Sequence, residues 1–367
     1  MSGHKSISIL GLYMSLILFL SACTYPQQKI IDDIQIQTVL GFDKDKEEYI
    51  GTTLYPDFTK EEENGEGVIL EGKGSKVRLI KQELDEQSPK PIEIGKLNLL
   101  VFGRELAEDS VSYFVKTVCR DPLVGSNMFL AVTEGHAGEL LKKGQNKSSN
   151  YIYKLIEHNY RSQNIPLPTL QSFLFDYYGE GRDVSIPYLR INQKGNIEVN
   201  GLAVFKKEKL KLILDQKETF LYKILRGRIM KGETDFKIHI GQREGSALLT
   251  VLYGENKKFV SIKQSNTKVK INIELQGMVK DYPVWLNLSK NKNKILLKKQ
   301  LEKQLKKDFE DLLLKFKDDQ VDPLGIGDLV RAHSRNWSEK EFYENVYPNL
   351  TYDLDLTIEL TRAGIGV

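Results

Sequence analysis

The residue with the most specific chemistry is a cysteine: Leu20-Ser21-Ala22-Cys23 directly follows a nearly uninterrupted apolar run from Ile7 to Leu20. A thiol in that setting is presented at a membrane surface for alkylation by a diacylglyceryl group, and the small residues before it let a peptidase reach the scissile bond. His4 and Lys5 supply a weak polar start, and the apolar run is roughly 14 residues, short of the ~20 that a spanning helix needs. Residues 1–22 therefore read as a lipoprotein signal peptide, and Cys23 becomes the first mature residue, an S-diacylglycerol cysteine with N-acylation as a further modification. Two acyl chains hold a protein far more firmly than the single chain that gives only marginal binding.

Other chemistry is sparse. Cys119 ends the helix-like stretch Ser112 to Cys119 and is expected to be a buried free thiol without function, because an exported protein stabilised by disulfides would carry more cysteines, in pairs. His136, His158, His239 and His333 fall in different segments with no paired spacing, so no zinc site is expected. Asp43, Asp45 and Glu47 alternate like calcium ligands, but the glycine and distal glutamate of such a loop are missing, and a solvated turn is the expectation. The glycines between Lys60 and Gly74 read as a mobile surface loop, since no strand-glycine-helix order with a following Lys-Ser or Lys-Thr pair accompanies them. No nucleophile elbow, Ser-x-x-Lys or zincin helix is present, although two carboxylates of a glycosidase type need no motif. The residues point to no cofactor, no metal and no catalytic set.

The elements around these residues belong to an ordinary folded body. At 367 residues the chain can bury large cores, and 40% hydrophobic with 28% charged residues disfavours both wholesale disorder and a polytopic membrane protein. A net charge of +3 from 53 basic and 50 acidic residues gives no concentrated basic face for nucleic acid. A hairpin is expected from Ile34 to Tyr55 with its turn at Asp43 to Glu48. Helix-like Val77 to Gln87, Asp109 to Arg120, Ala137 to Lys143, Tyr151 to Tyr160 and Leu170 to Tyr178 alternate with strand-like Leu97 to Phe102 and Met128 to Val132, with Thr169 as an N-cap. Asn192 to Asn196 forms a turn and a candidate boundary. Beyond it lie the strand Ile197 to Phe205, a turn at Lys206 to Lys209, the helix Asp215 to Leu225, and strands at Ala247 to Tyr253, Phe259 to Gln264 and Val269 to Leu275. Leu297, Leu301, Leu305, Phe309, Leu312 and Phe316 recur at helical spacing, with Glu302 and Lys306 as an i,i+4 pair; the lysine-rich face of this helix reads as solvated scaffold. Tyr352 to Leu360 alternates as a one-sided strand.

The expected class is α+β and multidomain, with about three mixed α/β domains: a signal peptide 1–22, an N-terminal domain 23–195, a small middle domain 196–235 and a C-terminal domain 236–367. The last is expected to be a mostly antiparallel sheet with helices packed on one face.

The chain resembles the Ger(x)C lipoproteins, the C subunits of spore germination nutrient receptors. The likeness rests on the motif ending at Cys23, Val39-Leu40-Gly41-Phe42-Asp43, the segment Ile94 to Ala107, Arg120-Asp121-Pro122, Gly201 to Lys206 with Lys209-Leu210, Asp322-Pro323-Leu324-Gly325-Ile326-Gly327 and Tyr347-Pro348-Asn349-Leu350. Family members typically follow the lipid cysteine with Trp-Asp and an Arg-Glu-Ile-like segment; here Thr24 to Ile31 reads Thr-Tyr-Pro-Gln-Gln-Lys-Ile-Ile. The resemblance implies a three-domain mixed α/β lipoprotein on the extracytoplasmic side of the spore inner membrane. It would work beside integral membrane A and B subunits that sense small-molecule nutrients. No catalytic residue carries over, and the implied action is binding. The alternatives are a solute-binding lipoprotein with two similar lobes around a cleft, and a cell-envelope enzyme with converging carboxylates or histidines.

Overall fold

A computed structural model describes residues 35–56, 67–263 and 266–361. The expected signal peptide, Cys23 and the Thr24 to Ile31 segment lie outside the described residues.

The first unit is built on an eight-stranded mixed sheet. In chain order its elements begin with β1 (Gln35–Ile36), β2 (Val39–Asp45), β3 (Glu48–Pro56), β4 (Gly67–Gly74) and the helix α1 (Val77–Gln87). They continue with β5 (Ile92–Glu93), β6 (Leu99–Gly103), α2 (Arg104–Asp109), α3 (Ser112–Cys119), β7 (Phe129–Thr133) and α4 (Ala137–Gln145). Then follow α5 (Tyr151–Arg161), α6 (Leu170–Tyr178), β8 (Ser185–Ile191), β9 (Ile197–Lys206), β10 (Lys209–Leu214) and α7 (Gln216–Arg226). The strand order is β10-β9-β8-β7-β6-β2-β3-β4, parallel through β8, β7, β6 and β2 and antiparallel outside that centre, while β1 and β5 form a separate small pair.

The run Leu99-Leu100-Val101-Phe102 shows why this sheet is covered on both faces. Alternate residues of a strand point to opposite sides, and here Leu99 and Val101 enter a core with α4 and α5, whereas Leu100 and Phe102 enter another with α1, α3 and α6. A continuous apolar strand is what a doubly covered, partly parallel sheet requires.

The second unit is a four-stranded sheet of β11 (Gly232–Ile240), β12 (Arg243–Lys263), β13 (Asn266–Lys280) and β14 (Thr351–Leu360), ordered β11-β12-β13-β14. Its first three strands are antiparallel, and β14 runs parallel to β13 after a long crossover. That crossover holds α8 (Asn291–Asp318) and α9 (Ile326–His333). Leu297, Leu301, Leu305, Phe309, Leu312, Leu313 and Phe316 of α8 are all buried in a core shared with β11 and β13. Each such side chain contributes roughly 1.5–3 kcal/mol by leaving water.

The mixed α+β class and the C-terminal sheet with its long covering helix match the sequence reading, while several local expectations change. The strands expected at Ala247 to Tyr253 and Phe259 to Gln264 are one strand, β12, because Gly254 to Lys258 pairs with β13 instead of turning. Gly254 is there for space: a Cβ would lie 2.7 Å from Leu275 and 3.0 Å from Ile229. The part of the expected glycine-rich loop from Gly67 to Gly74 is β4, where a Cβ on Gly72 would meet the Ile80 carbonyl of α1 at 2.9 Å. The single helix expected over Asp109 to Arg120 breaks at Ser110, which is extended, and Val111 donates its N–H to the Glu208 carbonyl. Cys119 is exposed, not buried. Glu302 pairs with Lys298 at 3.7 Å, not with Lys306, and also accepts from the Ile358 N–H. Finally, the Asn192 to Asn196 turn is a hairpin between β8 and β9, so the 196–235 segment has no sheet of its own; β9 and β10 form one edge of the first sheet.

Candidate functional site at the junction of the two units

Two of the sequence segments singled out above place an aspartate under a helix start. Asp43, expected in a solvated turn, is buried; its Oδ1 accepts from the Ala137 N–H at 2.7 Å and its Oδ2 from the Gly138 N–H at 2.9 Å, at the first turn of α4. Those N–H groups have no partner within the helix, and a carboxylate satisfies them. Gly103, from a segment far away in sequence, faces the same carboxylate so closely that any Cβ would overlap Asp43 Oδ1. Gly103→Ala should therefore destabilise the chain by about 2 kcal/mol or more. Gly125→Ala, whose Cβ meets nothing within 4 Å, is the control and should stay within about 0.5 kcal/mol. Urea unfolding of both variants measures the difference.

The same device joins the two units. Asp322, with 1% of its surface exposed, accepts from the Ile326 N–H (2.9 Å) and the Gly327 N–H (2.6 Å) at the start of α9. Its own backbone is tied to the first unit. The Asp322 N–H donates to Asp183 Oδ2 at 2.7 Å, and the Asp183 N–H donates to the Asp322 carbonyl at 2.9 Å. Lys206 of β9 reaches Asp183 Oδ2 at 3.0 Å, and its ammonium lies 3.1 Å from the centre of the Tyr343 ring.

Around this centre Arg182 pairs with Asp328, and the Asp328 N–H donates to the Gly181 carbonyl. Trp337 Nε1 donates to Glu180 Oε2 at 2.7 Å. Tyr222 of α7 donates to the Pro323 carbonyl and shares a hydrogen bond with Ser185. Gly181 and Gly327 touch backbone to backbone: a Cβ on Gly327 would sit 2.7 Å from the Gly181 Cα, and Gly181 itself has a φ of +68°. The Asp-Pro-Leu-Gly-Ile-Gly segment is thus the seam between the sheets.

Burial pushes the Asp322 carboxyl up to about 7, the neighbouring Asp183 charge adds to that, and the two N–H donors oppose it. Burial likewise raises Asp183, opposed by Lys206. Both Asp322 oxygens and Asp183 Oδ2 are committed to protein donors, so the pair acts as a latch between the units. A cavity of about 300 Å³ borders Asp183, Lys206, Arg182 and Tyr343, and these charges face each other.

Cys23, the modification site expected from the sequence, lies outside the described residues. Among the described residues, no three His, Cys, Asp or Glu side chains converge to hold a metal ion. His136 approaches Asp43 at 3.6 Å, His239 approaches Glu244 at 3.4 Å, and His333 lies against its own helix. Residue type and spacing mark Asp322, Gly325 and Gly327 as turn chemistry but give no sign of Asp183 and Gly181, whose roles depend on residues more than a hundred positions away, or of the Lys206 ion pair with Asp183, 23 positions back.

Fold and junction define a mixed α+β protein of two unlike sheets, sewn together by a buried carboxylate pair. Residues 27–191 match the family model of the spore germination protein N-terminal domain, and residues 200–364 match that of the spore germination B3/GerAC-like C-terminal domain. The chain belongs to this GerAC-like family and is a spore germination protein. The hairpin turn at Asn192 to Asn196 falls between the two matched ranges. The spore germination protein GerQC of Bacillus cereus is 27% identical over 96% of this chain and 98% of its own length. Spore germination protein KC of Bacillus subtilis (strain 168) is 24% identical over 47% of this chain and 43% of its own length. The crystal structure of the GerBC protein shares the fold, with a TM-score of 0.59 at 17% identity, covering 88% of this chain and 97% of that one.

Proposed function

We propose that the protein is a membrane-anchored lipoprotein subunit of a nutrient germinant receptor, held by a diacylglyceryl group on Cys23. It acts by binding integral membrane A and B subunits and not by catalysis. The observation that carries this reading is Leu20-Ser21-Ala22-Cys23 at the end of an apolar run in a chain of the spore germination family. Among the described residues no helix is long and apolar enough to cross a membrane, so an anchor at the mature amino terminus supplies the attachment. Tethering makes encounter with membrane partners effectively intramolecular, and modest interfaces then suffice. The body would stand on the extracytoplasmic face of the spore inner membrane.

The family segments also fit a binding role, since Asp43, Gly103, Asp322 and Gly327 are spent on holding helix starts in the fold. A solute-binding lipoprotein would need two similar lobes, whereas the eight-stranded and four-stranded sheets differ in size and topology. Mass spectrometry of protein extracted from spore membranes tests the anchor, and crosslinking in the same membranes tests the partners. The expected results are a diacylglyceryl mass on an amino-terminal Cys23 and crosslinks to two polytopic proteins. An unmodified position 23, or crosslinks to soluble proteins alone, would overturn the proposal.

A further inference from the structure

One face of α7 is chemically unusual. Gln216, Thr219 and Lys223, spaced i, i+3 and i+7, all line a cavity of about 230 Å³ between the turn after α5, strand β9, α7 and the start of β11. Thr219 is 2% exposed and Lys223 is 9% exposed. Thr219 Oγ1 has no hydrogen-bond partner. The Lys223 ammonium has no carboxylate or hydrogen-bond acceptor among the described residues, and burial alone lowers its pKa to about 8.

Burial of most of the Lys223 side chain disfavours its charged form, and an anion beside the ammonium would restore it. The one carboxylate of the lining, Glu233, is engaged elsewhere: its Oε1 accepts from Thr250 at 3.0 Å and lies 3.5 Å from Lys280 Nζ. Across the cavity, Gln163 sits in the left-handed region at φ 59° with its Oε1 taken by the Met230 N–H, which leaves its amide N–H groups unspent. One cation, one hydroxyl and an amide donor thus border a space whose one lining carboxylate, Glu233, is engaged by Thr250 and Lys280.

We propose that this cavity binds a small oxyanion, a carboxylate or a phosphate group, with Lys223 as the charge partner and Thr219 as a hydrogen-bond donor. The volume restricts the ligand to a few heavy atoms beyond the oxyanion. The site lies where α5 and α7 of the first unit meet β11 of the second, so an occupant bridges the units. This inference does not depend on the anchor at Cys23.

The test uses the full chain as extracted from spores in detergent, with sodium acetate, sodium propionate and sodium phosphate as probes and sodium chloride and glycerol as controls at matched ionic strength. Lys223 is modified with an amine-acylating reagent near pH 8 and followed by peptide mass spectrometry, alongside the unfolding temperature. A bound oxyanion should slow acylation of Lys223 several-fold while exposed Lys292 reacts unchanged, and should raise the unfolding temperature. Protection by acetate or propionate assigns a carboxylate; protection by phosphate alone assigns a phosphate. Lys223→Met should abolish the thermal shift, and Thr219→Val should weaken binding by about tenfold. Lys223→Gln provides a second variant if the methionine protein fails to fold. Equal protection by chloride, or a full thermal shift retained in the folded Lys223 variants, would mean a hydrated structural cavity and sink the proposal.

Discussion

Replacing Cys23 with alanine is expected to move most of the protein from the membrane fraction to the soluble fraction. Each buried CH₂ of an acyl chain contributes about 0.8 kcal/mol, and one myristoyl-length chain gives an association constant of only about 10⁴ M⁻¹, so losing both chains removes nearly all the attachment. The retained Ile7 to Leu20 run complicates the experiment, since an uncleaved signal could hold some protein at the membrane. A chain starting at Thr24 behind an ordinary cleavable secretion signal removes that route. Carbonate-washed membranes, immunoblotted for wild type and both variants, give the measurement, and germination of spores carrying them should be impaired in parallel. Membrane retention of the Thr24 chain at wild-type level would show that a protein surface, not lipid, does the anchoring.

Asp322→Ala should be the most damaging single substitution in the folded body, costing about 3–5 kcal/mol, because it strands the buried Ile326 and Gly327 N–H groups, although the backbone of residue 322 can still bond Asp183. Asp322→Asn keeps one acceptor oxygen and should cost less. The pH dependence has a definite sign. The folded carboxyl is held near about 7, above the unfolded value of about 3.9. Between those pH values the native chain keeps a proton that the unfolded chain has released. The contribution is therefore full below about pH 4 and is lost as pH rises through about 7. Asp43, Asp176 and Asp183 shift in the same direction, so the difference between wild type and Asp322→Asn isolates the residue. Guanidinium unfolding at pH 5, 6, 7 and 8 should show wild type losing stability across that window and the asparagine variant with a flatter profile. Parallel slopes would assign the dependence elsewhere.

Much of the architecture was legible because its causes are local. The heptad-like leucines from Leu297 to Phe316 dictate a one-faced helix whatever lies beneath it, and the alternation in Val269 to Leu275 dictates a one-sided strand. Thr169 caps α6 as its type predicts, and Asp215 with Glu218 closes a capping box on α7. The misreadings have local causes too. Gly254 and the polar residues after it look like a turn, and only the neighbouring Leu275 and Ile229 reveal that the glycine makes room within a strand. Asp43 sits next to a charged turn, and only α4 folding over it turns a solvated side chain into a buried cap.

The sequence by itself determined the class of the protein, most of its helices and strands, the motif at residues 20–23 on which the proposed anchor rests, and the family to which the chain belongs. These depend on residue type and short-range spacing, which a linear chain carries in full. Tertiary structure alone decided that Asp183, Lys206 and Asp322 form the seam between two sheets, that Gly181 and Gly327 must be bare, and that Lys223 lines a cavity with no ion-pair partner of its own. A charge is compensated or left alone by whatever the fold brings within a few ångströms of it, and distance along the chain says nothing about that.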